Sequence, residues 1–180
     1  MIDNEENLIQ KAQSGHSDSF GGIYDLHHEK IFRFIYLKVS HKEEAEDLTH
    51  QVFLSAWKNI KNYVIKDTPF VSWLYQIARN KVIDHYRSKK NHTPLDSAIE
   101  NIPDQYNLEL ITENKIEIEQ IKNSLKKLTD EQQDVLIMRF VEDLPIKEVA
   151  QSLNKSNGAI KLIQFRAINK LKEILNKNQS

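Results

Sequence analysis

The sequence predicts an all-α protein, and three observations carry that expectation. Only 4 Gly and 4 Pro occur in 180 residues, too few breaks for a chain built of many tight β-turns. Apolar residues recur at spacings of three and four along most of the length. Ser40 with Glu43, and Thr129 with Gln132, have the spacing of capping boxes at helix starts.

The N-terminal half reads as four helices. The first, about Glu5 to Ser14, puts Leu8, Ile9 and Ala12 on one face. The second runs from Ser17 to Val39 and presents Phe20, Ile23, Tyr24, Ile31, Phe34, Ile35 and Leu37, with Gly21 and Gly22 weakening its start. Ser40 is the expected N-cap of the third, whose stripe of Ala45, Leu48, Val52, Phe53, Ala56 and Trp57 leaves Asp47, His50, Gln51 and Leu54 off centre. An irregular stretch, Ile60 to Pro69, precedes a fourth helix from Phe70 to about Lys89, with Trp73, Leu74, Ile77, Ala78, Val82 and Ile83 inward.

Periodicity lapses from Asn91 to about Tyr106, where Pro94 and Pro103 interrupt an acidic, polar segment running into a helix from about Leu108. Helical pattern resumes from about Leu125 to Asn176. These shifts divide the chain into helical domains at 1–90 and 123–180, joined by an acidic linker at 91–122.

Composition excludes several classes. Cys is absent, so disulfides, thiolate chemistry and Cys-based zinc fingers are excluded. The start of the chain lacks a basic, then apolar, leader, and Arg33 and Lys38 interrupt the apolar run at Phe32–Val39; the expected location is cytoplasmic. Net charge is only −1 but strongly segregated. Arg79, Lys81, Arg87, Lys89 and Lys90 form one basic stretch, and Lys155, Lys161, Arg166, Lys170, Lys172 and Lys177 another. Between them lie Asp96, Glu100, Asp104, Glu109, Glu113, Glu117 and Glu119.

The most specific local pattern runs from Leu144 to Lys161. Pro145 suits a first helical turn, and Ile146, Val149, Ala150 and Leu153 share one face. Asn154 tolerates the left-handed backbone of a short turn, and Ser156 caps a second helix buried through Ile160, Ile163, Ala167, Leu171 and Ile174. This is a helix-turn-helix. The face left outside carries Asn157, Lys161, Gln164 and Arg166, with Lys155 and Ser156 at its start. Such cations neutralise phosphates, and such amides pair with base edges in the major groove.

Two further strings, Glu46 to Trp57 and Phe70 to Arg87, closely resemble the sigma-two domain of extracytoplasmic-function sigma factors of the sigma-70 family. The helix-turn-helix resembles the sigma-four domain of the same family, in the expected order. The resemblance implies a subunit that binds core RNA polymerase, directs it to promoters and assists DNA opening. By position, Asp47, Leu48, His50, Gln51 and Phe53 would dock on the β′ clamp helices, and the sigma-four domain on the β flap. Tyr63, Arg79, Asn80, Lys81, Arg87, Lys89 and Lys90 would contact the melted minus-ten element, where aromatic faces and cations hold unpaired strands. Lys155, Ser156, Asn157, Lys161, Gln164 and Arg166 would contact the minus-thirty-five duplex. The resemblance also implies an anti-sigma factor as partner, and no cofactor, metal, small-molecule substrate or catalysis. The family's usual Ser and Arg after the position of Lys161 are here Leu162 and Ile163.

Two rivals remain at this level. A stand-alone helix-turn-helix regulator would explain the C-terminus and leave the other two strings unexplained. A helical-bundle metalloprotein would use Asp25-x-x-His28 and Asp47-x-x-His50, each a carboxylate and imidazole one turn apart.

Overall fold

A computed structural model describes residues 2–65, 68–92 and 115–178, all helical or in short turns, with no strand among them. The eight α-helices are α1 (Ile2–Gln13), α2 (Ser17–Val39), α3 (Lys42–Asn59), α4 (Phe70–His92), α5 (Lys115–Leu125), α6 (Asp130–Leu136), α7 (Ile146–Leu153) and α8 (Asn157–Asn178). A 3-10 turn at Ile60–Asn62 follows α3, and a π-helical turn at Ile137–Val141 follows α6. The acidic segment read as a linker lies outside the described residues at 93–114; α5 begins within its last third.

Helices α1 to α4 form the first bundle, with α2 packed on α1, α3 and α4. Its core is the set that periodicity selects: Ile23, Ile31, Phe34, Ile35, Ala45, Val52, Ala56, Leu74, Ala78 and Val82 are all buried. Gly22 does not break α2. A Cβ there would sit 3.2 Å from Leu8 Cδ1, so the missing side chain is what lets α1 lie close. Glu5 of α1 accepts a 2.7 Å hydrogen bond from His27 of α2, and Gln13 Nε2 donates to the carbonyls of Ile60 (3.0 Å) and Tyr63 (2.6 Å). Helix α1 thereby holds the turn that follows α3.

The start of α3 differs from expectation. Ser40 is not its N-cap: it adopts φ 57° and closes α2, its N–H bonding Tyr36 O. An N-cap needs extended backbone, and His41 supplies it (φ −134°) without a side-chain cap. Glu43 and Glu44 in the first turn instead meet the positive end of the helix dipole.

The second bundle packs α5, α6 and α7 around α8. The Thr129–Gln132 capping box is present, with both reciprocal bonds. Phe140, at the end of the apolar run that follows, is exposed. Helix does not run on from there, because Glu142 to Pro145 form a turn with Asp143 at φ 53°. Pro145 stands at the N-cap of α7, one residue ahead of the first turn. Asn154 closes α7 at φ 52°, as its tolerance of that conformation predicts.

The Glu5–His27 contact yields a pH prediction. The hydrogen bond from His27 outweighs burial and holds the Glu5 carboxyl below its ordinary 4.5. A depressed folded-state value stabilises the fold above about pH 4.5 and is lost as pH falls through the lowered value. Urea midpoints of Glu5→Gln should therefore fall less steeply than those of the parent chain below about pH 4.5; parallel curves would refute the assignment.

Candidate nucleic-acid and polymerase interface

The string on α3 divides by burial. Leu48 and Phe53 point into the first bundle, Phe53 packing edge-on to Tyr24 at 4.7 Å between ring centroids. Asp47, His50 and Gln51 are exposed, and so is Leu54 at 58%. The 3.6-residue repeat makes this a single ridge, with the buried pair supporting it from behind. Leu54 is the member that the candidate set lacked, although its place off the apolar stripe was legible.

The α4 candidates also divide. Asn80 is exposed, as are Arg87 and Lys90, and Lys81 is half-buried. Arg87 and Asp84 approach to 3.9 Å, both well exposed. Lys89 pairs with Glu44 on α3, which also accepts from His85 at 3.1 Å. Burial pushes the Glu44 carboxyl up, but the bonds from Lys89 and His85 outweigh it and leave it below its ordinary value. Tyr63 is half-buried: its hydroxyl donates to Thr68 O at 3.0 Å, and its ring stands perpendicular to Phe70 at 4.9 Å. It closes the irregular loop onto α4.

Arg79 is engaged elsewhere. Its Nε donates to Asp134 Oδ2 of α6 at 2.8 Å, and Lys38 of α2 binds the other oxygen of the same carboxylate. Alongside, Arg33 of α2 forms a two-point bond to Glu142 at 2.7 and 2.8 Å. Both carboxylate side chains have 0% exposure. The Glu142 bond holds Arg33 firmly protonated, and burial beside this pair pushes the Tyr75 phenol pKa up. Gln76 donates to Gln151 O of α7 at 2.9 Å, and Lys122 of α5 bonds the Tyr36 hydroxyl at 2.7 Å while lying over its ring. The two bundles therefore meet through a set of charged and polar pairs, which sequence reading missed, set within one continuous apolar core. A signal existed: Arg33 and Lys38 interrupt an apolar run, and a charge on a buried stripe needs a buried partner.

On the helix-turn-helix, Ser156 accepts from the Ala159 N–H at 3.1 Å, so it caps α8. Lys155 pairs with Glu131 of α6 at 2.8 Å. Gln164 is half-buried and accepts from Arg139 Nε at 3.0 Å, which ties α8 to the π-helical turn. Asn157, Lys161 and Arg166 are exposed, with Leu162 and Phe165 (64%) between them. The face available to a duplex is thus more apolar than the candidate set implied.

The pattern Sigma-70 region 2 matches residues 23–92, and Sigma-70, region 4 matches residues 124–173. The chain belongs to the sigma-70 family. Among its relatives of the extracytoplasmic-function (ECF) type are BldN of Streptomyces coelicolor, 34% identical over 93% of this chain, and SigW of Bacillus subtilis, 27% identical over 85%. The chain spans 64% of BldN and 87% of SigW. In fold it is similar to CnrH, solved with the cytosolic domain of CnrY, at TM-score 0.75 and 22% identity over 97% of this chain and 98% of that one. RpoE of Bartonella quintana, solved with the anti-sigma factor NepR, gives 0.66 and 21% over 87% and 96%.

The α2 and α3 Asp-x-x-His motifs of the metal rival lie side by side. His28 is pushed below its ordinary value by burial and then by nearby His50. Among the described residues no three His, Asp or Glu side chains converge on a metal position.

Burial separates the α3 residues in a stability assay. Phe53→Ala should cost about 3–5 kcal/mol, and His50→Ala should stay within about 0.5 kcal/mol. Comparable losses in urea denaturation would contradict this placement.

Proposed function

We propose that the chain is a non-catalytic subunit that binds core RNA polymerase, directs it to particular promoters and assists strand opening. The observation that carries this reading is the presence of regions 2 and 4, in order, on one chain. Each presents exposed residues of its own: the α3 ridge and Asn80 of α4 in the first, and the start of α8 in the second. A lone helix-turn-helix regulator has no use for the first.

The roles follow from chemistry. On the α3 ridge, Asp47, His50, Gln51 and Leu54 dock on the β′ clamp helices, a polar rim beside one apolar contact. Asn80 has the donors and acceptor to hold an unpaired base, and Lys81, Arg87 and Lys90 track the strand's phosphates. Tyr63 offers a ring edge near the same helix. Lys161 and Arg166 neutralise phosphates of the minus-thirty-five duplex, and Asn157 reads a base edge near the helix N-terminus. Lys155, Ser156 and Gln164 support that helix from within the domain. The working divisions are 1–90 and 123–180, with 91–122 as connector. The reading includes the β flap and an anti-sigma factor as partners, and a cytoplasmic location. No described helix is long and apolar enough to cross a membrane.

Run-off transcription with purified core polymerase tests the whole: adding the chain should redirect initiation to a new promoter set, and unchanged specificity would end the proposal. Lys161→Ala should lower the slope of log affinity against log salt on the minus-thirty-five duplex by about 0.9, the value of one phosphate contact. Asn80→Ala should reduce open-complex formation while leaving polymerase binding intact; equal loss of both would reassign Asn80.

A further inference from the structure

Helix α1 lies outside residues 23–92, the part that matches region 2, yet its last residue reaches the loop ahead of α4. From Tyr63 to Ile65 the main chain has left the 3-10 turn and belongs to no helix, so its carbonyls have no ladder to bond to. Gln13 supplies donors there. Its Nε2 bonds Ile60 O at 3.0 Å and Tyr63 O at 2.6 Å, one N–H for each end of the turn. The rest of Tyr63 is held as closely. Its N–H bonds Ile60 O at 3.1 Å, its hydroxyl bonds Thr68 O at 3.0 Å, and its ring packs on Phe70 and Trp73 at 4.9 and 5.2 Å between centroids. Burial, then the charges of Glu5 and Glu6 on α1, push the Tyr63 phenol up, so the hydroxyl keeps its proton. Gln13 stands on a fixed base, because Ile9 and Ala12 of the same helix are buried.

We infer, on the sigma-factor reading, that Gln13 is a positioning residue for capture of an unpaired minus-ten base: it fixes the Tyr63 turn, and with it the wall that the base meets beside α4. Trp73 and Asn80 lie about two turns apart on one face of α4, about 10 Å along its axis. Tyr63 packs on Trp73 and Asn80 is exposed, so the turn borders the face that carries the amide. Val64 follows directly and is exposed. A base taken out of its stack gives up stacking and pairing, and is repaid by groups already in place. A turn free to drift would have to be ordered at the moment of capture, which weakens binding of that base. The two Gln13 bonds are neutral and half-buried, and contribute little to a fold that rests on the core of α2, α3 and α4. Their loss moves the wall without melting the bundle, and leaves Asp47, His50, Gln51 and Leu54 on α3 as they are.

The test uses the full chain assembled with core polymerase, and fork-junction DNA whose minus-ten strand is unpaired, taken from a promoter located by run-off transcription. An abasic site is moved along the unpaired strand. In the parent, loss of the captured base should weaken binding by about tenfold or more, and flanking positions should cost less. Gln13→Ala should bring the penalty at that one position below about threefold, with flanking penalties and polymerase affinity unchanged, because coupled sites are non-additive where general destabilisation is not. Gln13→Glu, equal in size but with an acceptor in place of the NH2 donor, should match Gln13→Ala. Gln13→Lys, whose ammonium can donate to the same two carbonyls, should restore the parent profile. An unchanged profile in both Gln13→Ala and Gln13→Glu, or weakening spread evenly over all positions, would overturn the role. A parent profile with no dominant position would overturn it too, since no captured base would be there to serve. Should Gln13→Ala unfold by circular dichroism, Gln13→Glu carries the comparison; unfolding of both would make Gln13 a structural residue and end the inference. Failure of the parent chain to assemble with core polymerase would instead reject the sigma-factor reading, and the role of Gln13 with it.

Discussion

A carboxylate with no exposure, Asp134, sits between a lysine and an arginine contributed by two other helices, and the arrangement of the molecule turns on it. Neither charge partner is local: Lys38 is 96 positions away and Arg79 is 55. Such a triad cannot form until both bundles have folded and met, so it sets their relative position and does not build either one. The buried apolar residues nevertheless run through both bundles as one continuous cluster, from Ile9 in the first to Ile174 in the second. Within that core, the charge pairs fix how α6 and the π-helical turn sit against α2 and α4. Removing one partner would leave a buried ion uncompensated, which is why the triad is specific out of proportion to its net stabilisation.

The contrast between local burial and long-range pairing explains what the sequence revealed. Helical periodicity reports burial within an element, and it selected Ala45, Val52 and Ala56 on α3 and Leu74, Ala78 and Val82 on α4, all buried. Caps are equally local, and Thr129, Asn154 and Ser156 act as their types predict. Ser40 misled because a hydroxyl before an acidic turn fits two structures. Closing α2 in the left-handed conformation prevailed over opening α3. Long-range pairing leaves no periodic trace. Arg33 and Lys38 were legible only as interruptions of an apolar run, and nothing local in the sequence assigns them to Glu142 and Asp134.

That limit bears directly on the functional faces. Residue type alone put Arg79, Lys89, Lys155, Ser156 and Gln164 among the contact candidates, yet each has a partner within the chain. Asp47, His50, Gln51, Asn80, Asn157, Lys161 and Arg166 remain exposed. The second set lies exposed on α3, α4 and α8, whereas each member of the first is tied to a neighbouring helix or helix end. Under the proposed function Arg79 would have to give up Asp134 to meet a phosphate, whereas the part-exposed Lys89 and Lys155 keep N–H donors to spare.

Helix α8 also exposes apolar residues among its cations. Leu162 and Phe165 stand between Lys161 and Arg166 on the outer face of α8, and Gln164 is turned inward to Arg139. A helix presenting cations around an apolar centre reads a duplex differently from one presenting amides. Under the proposed function the cations would fix its register on the phosphates, and the apolar groups would favour base steps whose major-groove edge is itself apolar, which among the four bases means the thymine methyl. Selectivity would then rest on where thymines fall relative to the phosphate contacts. Direct hydrogen bonding would be confined to Asn157 at the helix start, where the first turn comes nearest the groove floor.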